Sequence, residues 1–253
     1  SEAIKEEMIR DDRVFLMGED VGAFGGGFGT TRGLFNEFGE ERIKDTPNSE
    51  TAIVGFGLGA ALMGLRPIVE IMRMDWMTIC MDEIVNHVAK MRYLSAGRLE
   101  VPMVIKTNAE GGIGLGAQHS QSFESWLVHV PGLKVVMPSN PYDGKGLLKA
   151  AIRDPNPVIF IEPVILLGTM GPVPSEDYIV PLGKAEVKRK GKDATIVAWG
   201  SLVPRALIAS QVLADEGIDV EVIDPRSLWP LDMESIIDSV RKTGRLIVAH
   251  QAV

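Results

Sequence analysis

Residues 45–72 read DTPNSETAIVGFGLGAALMGLRPIVEIM, and the placement of their glycines decides the fold. Gly55, Gly57, Gly59 and Ala60 come close to the fingerprint of a dinucleotide-binding turn, and Glu70 and Asp75 follow Gly55 by 15 and 20 residues. That fingerprint needs a strand directly before it and its glycines at the strand-to-helix turn. Here Asp45-Thr46-Pro47-Asn48-Ser49 comes first, which is turn and helix-capping chemistry. The glycines therefore fall inside a helix over 49–65, and the apolar run at 67–72 is the strand that follows it. Gly55/Gly59 and Ala60/Gly64 recur at i, i+4. A glycine costs a helix about 1 kcal/mol against alanine, so the stripe predicts a second helix packed very close.

The same alternation extends outward. Strands are expected over 14–17, 102–107, 134–137 and 157–162, and helices over 76–95 and 142–153. Runs such as IVEIM and VIFIE are apolar on both faces, as a buried parallel sheet requires. The fold class is therefore α/β, a parallel sheet with helices on both sides. Residues 168–182 carry three prolines and no period, and read as a linker. Beyond them a βαβαβ unit follows, with strands at 194–199, 220–224 and 246–250 and helices at 203–216 and 234–242. The expected domains are 1–180 and 181–253, the second incomplete. The run 245–253 leaves an apolar edge, which a finished domain avoids; either the chain is a fragment or something covers that edge.

Composition removes several function classes. The 253 residues hold 34 acids against 26 bases, a net charge of −8, with 45% apolar and 24% charged residues. That is an ordinary soluble globular balance, long enough for one large domain or two modest ones. A single cysteine, Cys80, excludes a disulfide framework and a cysteine-based zinc site. The longest uncharged stretch, 51–65, has 15 residues, short of the roughly 18 needed to cross a bilayer. The acidic balance argues against a nucleic-acid partner, and no cleavable leader opens the chain.

Several segments could carry chemistry. Residues 22–29 hold five glycines, but Gly29-Thr30-Thr31-Arg32 follows instead of Gly-Lys-Ser/Thr, so a phosphate-binding P-loop is rejected. Either this is a flexible connection with Thr30 or Thr31 capping the next helix, or it lets a cofactor or another chain approach the backbone. Glu50 opens the glycine-bearing helix, where an acid complements the helix dipole; beside so apolar a segment its carboxyl is also open to desolvation. His119 lies in Gln118-His119-Ser120-Gln121-Ser122 without a nucleophile elbow. The four histidines lack zinc spacing. Met77, Met81, Ile84, Val88 and Met91 form a helical stripe, read as core or subunit contact.

Taken in order, Gly18-Glu19-Asp20-Val21, FGGGFGTTRGL, DTPNSE, GLRPIVE, HSQS, PGLKVVMPS and AIRDPNPVIF span almost the whole chain. This series resembles the β subunits of thiamine-diphosphate-dependent 2-oxo acid dehydrogenases, whose members act on pyruvate, branched-chain 2-oxo acids and acetoin. The resemblance implies a pyrimidine-binding α/β domain followed by a partial transketolase C-terminal-like domain. It implies a heterotetramer of two α and two β subunits, with each cofactor at an α/β interface. Magnesium and the diphosphate would be held by the α subunit's Gly-Asp-Gly motif, which this chain lacks. A lipoyl acyltransferase is the implied further partner and a small 2-oxo acid the substrate, with no nucleic acid and no membrane. The compartment is cytoplasmic in bacterial members and the mitochondrial matrix in eukaryotic ones; the cytoplasm is favoured.

The resemblance also implies roles for single residues. Glu50 matches the acid that hydrogen-bonds the aminopyrimidine ring, promoting the tautomer that removes the thiazolium C2 proton. Met72 and Trp76 match positions lining the pyrimidine pocket, where many members carry phenylalanine in place of Trp76. Glu19 matches an acid of a water-filled channel that passes protons between sites. His119 matches the histidine near substrate and lipoyl group, a proton donor or orienting group in reductive acylation. The carbonyls of Met103, Ala151, Ile152, Asp154 and Asn156 match a structural potassium site in some members. This chain departs from the family at Asp82-Glu83, at Ser95-Ala96-Gly97 and after Ile161-Glu162, where Pro163-Val-Ile-Leu-Leu167 puts partner contacts in question. The competing readings are a non-catalytic assembly subunit, half of a transketolase-like enzyme, and a nicotinamide-dependent enzyme.

Overall fold

The apolar runs of the first two thirds of the chain become the strands of one sheet in the computed structural model, which describes residues 1–109 and 111–252. These strands are β1 (Val14–Gly18), β2 (Ile43–Asp45), β3 (Arg66–Ile71), β4 (Val104–Ala109), β5 (Lys134–Val136) and β6 (Val158–Pro163). All run parallel, in the order β5-β6-β4-β3-β1-β2. Both faces are covered, which explains strands without polar alternation. Phe15, Met17, Val69, Ile71 and Ile105 pack on one face with Ile53, Val54 and Leu58 of helix α3 (Glu50–Leu62). Val14, Leu16, Ile68, Val104 and Phe160 pack on the other, beneath α1 (Glu2–Arg10) and α6 (Pro141–Arg153). Helix α6 starts where its sequence says: Asn140 accepts from the Asp143 amide and Pro141 takes the first turn. Helices α2 (Leu34–Arg42), α4 (Met91–Leu94) and α5 (Glu124–Val128) are short connections.

A second sheet holds β7 (Glu186–Arg189), β8 (Ala194–Ala198), β9 (Val220–Asp224) and β11 (Leu246–Ala249), in the order β11-β8-β9-β7. Helices α7 (Leu202–Asp215) and α8 (Met233–Thr243) connect its parallel strands. The expected βαβαβ unit is present, but two strands go beyond it. β7 adds antiparallel to β9. β10 (Ser227–Trp229) leaves the second sheet altogether and pairs antiparallel with β5 as the outermost strand of the first. Both are too short, and β7 is also too polar, for an apolar-run criterion to find. The expected bare edge is real: Leu246, Ile247 and Val248 of β11 are about half exposed. Val253, the end of that run, lies outside the described residues.

Three local expectations are corrected. The helix expected over 76–95 is a 3₁₀ turn at Met74–Cys80, a π-helical stretch at Glu83–Val88 and α4; the Thr78 hydroxyl donates to the Asp75 carbonyl, a local bond that competes with helix continuation. Neither Thr30 nor Thr31 caps α2, which starts after Gly33; Thr31 Oγ1 donates to the Val21 carbonyl and Thr30 Oγ1 accepts from Lys106. The close approach at α3 is made by Gly57, where a Cβ would lie 2.5 Å from Val69 of β3. Gly55 and Gly59 are exposed; a Cβ on Gly55 would meet only Glu83, of the π-helical stretch, at 3.9 Å, and one on Gly59 nothing within 4 Å. Among those residues, no helix is long and apolar enough to cross a membrane.

Candidate active site

Parallel α/β sheets place their loops at the carboxyl ends of the strands, where ligands bind. Four adjacent strands, β4-β3-β1-β2, deliver Glu19, Glu50, Met72, Trp76 and His119 to that one end. Glu19 directly follows β1, Glu50 comes five residues after β2, Met72 directly follows β3, and His119 lies on the loop after β4.

Glu50 is 7% exposed at the first turn of α3. Ser49 precedes it as N-cap without a side-chain cap bond. Among the described residues nothing donates to the Glu50 carboxyl, so it stands as a buried acceptor open to a ligand's N–H. The Thr51 hydroxyl donates to the Ile79 carbonyl at 3.0 Å and ties this turn to the 3₁₀ turn that carries Trp76. Glu19 is also 7% exposed. Burial, and then the negative charges of Glu50 and Asp20, raise its pKa above the usual carboxylate value. Cys80 lies near the same acid: burial, with the Glu50 charge next, pushes its thiol up to about 12, which leaves it inert at neutral pH.

The glycine-rich loop at 22–29 is pinned, not loose. The Gly22 amide donates to Asp45 Oδ1 at 2.6 Å and the Gly26 amide to the Asp20 carbonyl at 2.7 Å. A Cβ on Gly27 would stand 2.9 Å from Met72 Sδ, so glycine here makes room for the Met72 side chain. Asn108 Nδ2 donates to the Met72 carbonyl at 3.0 Å. Trp76 is half-buried and meets His119 edge-on, with ring centroids 5.7 Å apart at 83°. Gln121 Nε2 donates to Asp75 Oδ1 at 2.7 Å, fastening the histidine loop to the tryptophan turn. Phe28, Arg73 and Asn108 were not singled out by the sequence, and Asp75 and Gln121 entered only through the dinucleotide spacing and the segment around His119; the lone arginine between Pro67 and Met81 was the available signal for Arg73.

The potassium candidates lie elsewhere. Met103 precedes β4, and Ala151, Ile152, Asp154 and Asn156 precede β6, at the amino ends of the strands. Arg66 Nη1 donates to the carbonyls of Ile152 at 2.8 Å and Asp154 at 3.4 Å, so a fixed cation already uses two of these oxygens. The Met103 and Ala151 carbonyls accept from the Val158 and Asp154 amides. Four of the five carbonyls thus already have a donor among the described residues.

Two family models match the chain. The transketolase pyrimidine-binding domain matches residues 1–169 and the transketolase C-terminal domain residues 183–253. The chain is 48% identical to the β subunit of an acetoin:2,6-dichlorophenolindophenol oxidoreductase of Cupriavidus necator, over 100% of this chain and 77% of that one. It is 47% identical to a 2-oxoisovalerate dehydrogenase β subunit of Bacillus subtilis, over 98% and 76%. It is 46% identical to a mitochondrial pyruvate dehydrogenase E1 subunit beta-2 of Oryza sativa subsp. japonica, over 99% and 68%. Among solved structures, a split-gene transketolase described as an inactive beta4 tetramer shares the fold, with a TM-score of 0.81 at 24% identity over 98% of this chain and 76% of that one.

Proposed function

Because this chain belongs to the β subunits of the thiamine-diphosphate-dependent 2-oxo acid dehydrogenases, we propose that it holds the aminopyrimidine half of an active site completed by an α subunit. The observation that carries this reading is the convergence of Glu19, Glu50, Met72, Trp76 and His119 at the carboxyl ends of four adjacent strands. When bound, the cofactor supplies the thiazolium electron sink for decarboxylation. Glu50 presents its buried carboxyl to the pyrimidine ring nitrogen and holds the proton there. Met72 and Trp76 line the ring's pocket. Glu19, with its raised pKa, stores a proton at pH values where an exposed carboxyl has lost it. His119, edge-on to Trp76, donates to or orients the acyl acceptor.

The finer points of the reading are a heterotetramer of two α and two β subunits, magnesium and diphosphate on the α subunit, acyl transfer to the lipoyl group of an acyltransferase, and a bacterial cytoplasmic setting. Residues 1–180 form its pyrimidine-binding domain and 181–253 the start of its second. A structural potassium ion at the carbonyls of Met103, Ala151, Ile152, Asp154 and Asn156 would share two of them with Arg66.

A substrate panel on the assembled α/β complex tests it, with pyruvate, 2-oxoisovalerate and acetoin each followed by dye reduction. Turnover that needs both subunits and added thiamine diphosphate is expected. Turnover by this chain alone, or none with any of the three substrates, contradicts it.

A further inference from the structure

We propose that Arg73 is a positioning residue for His119, acting through the ring of Trp76. The inference rests on the reading of His119 as the group that serves acyl transfer. Arg73 leaves the end of β3 in extended conformation, as the residue before the 3₁₀ turn. Its guanidinium carbon lies 5.4 Å from the Phe28 ring centroid and 5.7 Å from that of Trp76. Both distances are within reach of a cation–π attraction, which is strongest for tryptophan. Trp76 in turn meets His119 edge-on at 5.7 Å. Phe28, Arg73, Trp76 and His119 thus form a ladder across the loops that follow β1, β3 and β4.

The histidine needs such support. Its loop carries Gly112, Gly114 and Gly116, all at positive φ (84°, 77° and 97°), so the backbone before it is intrinsically permissive. Its amide donates to the Gly116 carbonyl at 3.2 Å, which orients the backbone and not the ring. The Gln121–Asp75 bond fixes the far side of the loop to the same turn. Among the described residues, the imidazole itself makes no hydrogen bond, and its ring contact is Trp76. Trp76 is half-buried and packs in part against the core. The Arg73 guanidinium, 5.7 Å from its ring centroid, adds to that hold. A cation–π contact is large enough to change a side-chain population by about tenfold.

The ladder also separates two steps. Glu50 and Met72 serve the cofactor from α3 and β3 and do not depend on the orientation of His119, whereas Trp76 both lines the pyrimidine pocket and meets His119. With thiamine diphosphate saturating, loss of Arg73 therefore slows acyl transfer far more than decarboxylation.

The test uses the full β chain assembled with its α subunit. Two rates are measured for each variant: reduction of 2,6-dichlorophenolindophenol, which reports decarboxylation, and reductive acylation of a free lipoyl domain. Arg73→Met keeps the length and removes the cation; Arg73→Lys keeps the cation; His119→Ala sets the scale. Arg73→Met is expected to lower kcat for acylation about tenfold, leave KM for the lipoyl domain and the dye rate within about twofold, and be largely rescued in Arg73→Lys. Acylation within about twofold of the parent enzyme, or a fall of both rates by the same factor, overturns the assignment. If His119→Ala itself leaves acylation unchanged, the underlying reading of His119 fails; if His119→Ala is impaired and Arg73→Met is not, the role of Arg73 alone fails.

Discussion

Lys106 sits in the middle of a parallel sheet, 1% exposed, with Nζ 2.8 Å from both Glu70 and Glu162. Burial opposes its charge, but the carboxylates of Glu162 and Glu70 outweigh burial and raise its pKa, so the ammonium persists. Removing one member of such a cluster leaves uncompensated buried charge. Lys106→Met is expected to lower urea-measured stability by about 3–5 kcal/mol, and a loss below about 1 kcal/mol would show that the carboxylates find other compensation. This triad was illegible in the sequence, because Lys106, Glu70 and Glu162 come from three separate strands that become neighbours only in the folded order β6-β4-β3. Glu50 and His119 were legible because each lies within a contiguous motif. Arg73 was not, since its partners Phe28 and Trp76 are distributed over two loops.

Within α3 the three glycines have different environments. Gly57 faces β3, and a Cβ there meets Val69 at 2.5 Å and Met103 at 3.1 Å. Gly57→Ala overpacks the core and is expected to cost about 1–3 kcal/mol. A Cβ on Gly59 meets nothing within 4 Å, and one on Gly55 meets only the Glu83 side chain at 3.9 Å. Gly55→Ala and Gly59→Ala are expected to stabilise the isolated chain by up to about 1 kcal/mol, the helix-propensity gain. Thermal unfolding of the three variants checks the pair of signs; equal effects would contradict the assigned faces. The spacing alone identified the helix and its excess of glycine. It could not say which glycine was needed, because almost every residue from Thr51 to Leu62 is small or apolar and no polar face marks the outside. The fragmented helix after Met74 was missed for a related reason: the methionine stripe fits helical spacing, while the side-chain bond from Thr78 to Asp75 acts below the level of pattern.

The two sheets are joined by more than the linker. β10 crosses from one to the other, and beside it a buried polar cluster spans the junction. Ser139 donates to Asp224, Lys188 pairs with Asp143 and Glu186, and Arg226 pairs with Asp143 and Glu186. Burial raises the Asp224 pKa from 3.8 to about 6, against the hydrogen bonds from Ser139 and the Arg226 amide and the charge of Lys188, and with the Asp143 charge adding. A raised carboxyl binds its proton more tightly in the folded state. Its contribution to stability is therefore complete below about pH 4 and is lost as pH rises through about 6. Asp224→Asn is expected to remove this slope, so that the variant gains on the parent protein between pH 4.5 and 6.5 in urea titrations; parallel stability curves would contradict it. The alternation of apolar runs revealed both sheets and most of their strands, but the crossing strand was invisible, because three residues with no period carry no sheet assignment of their own.

At the same scale, the central claim is that this chain contributes the acid that activates a cofactor shared with an α subunit. The most direct measurement is the turnover of 2-oxo acid decarboxylation by the assembled α/β complex carrying Glu50→Gln, at saturating thiamine diphosphate. A positioned proton-transfer group is worth about 10²–10⁴-fold, so a loss of at least about 100-fold is expected while the complex still assembles. Turnover within about tenfold of the parent complex would contradict the account.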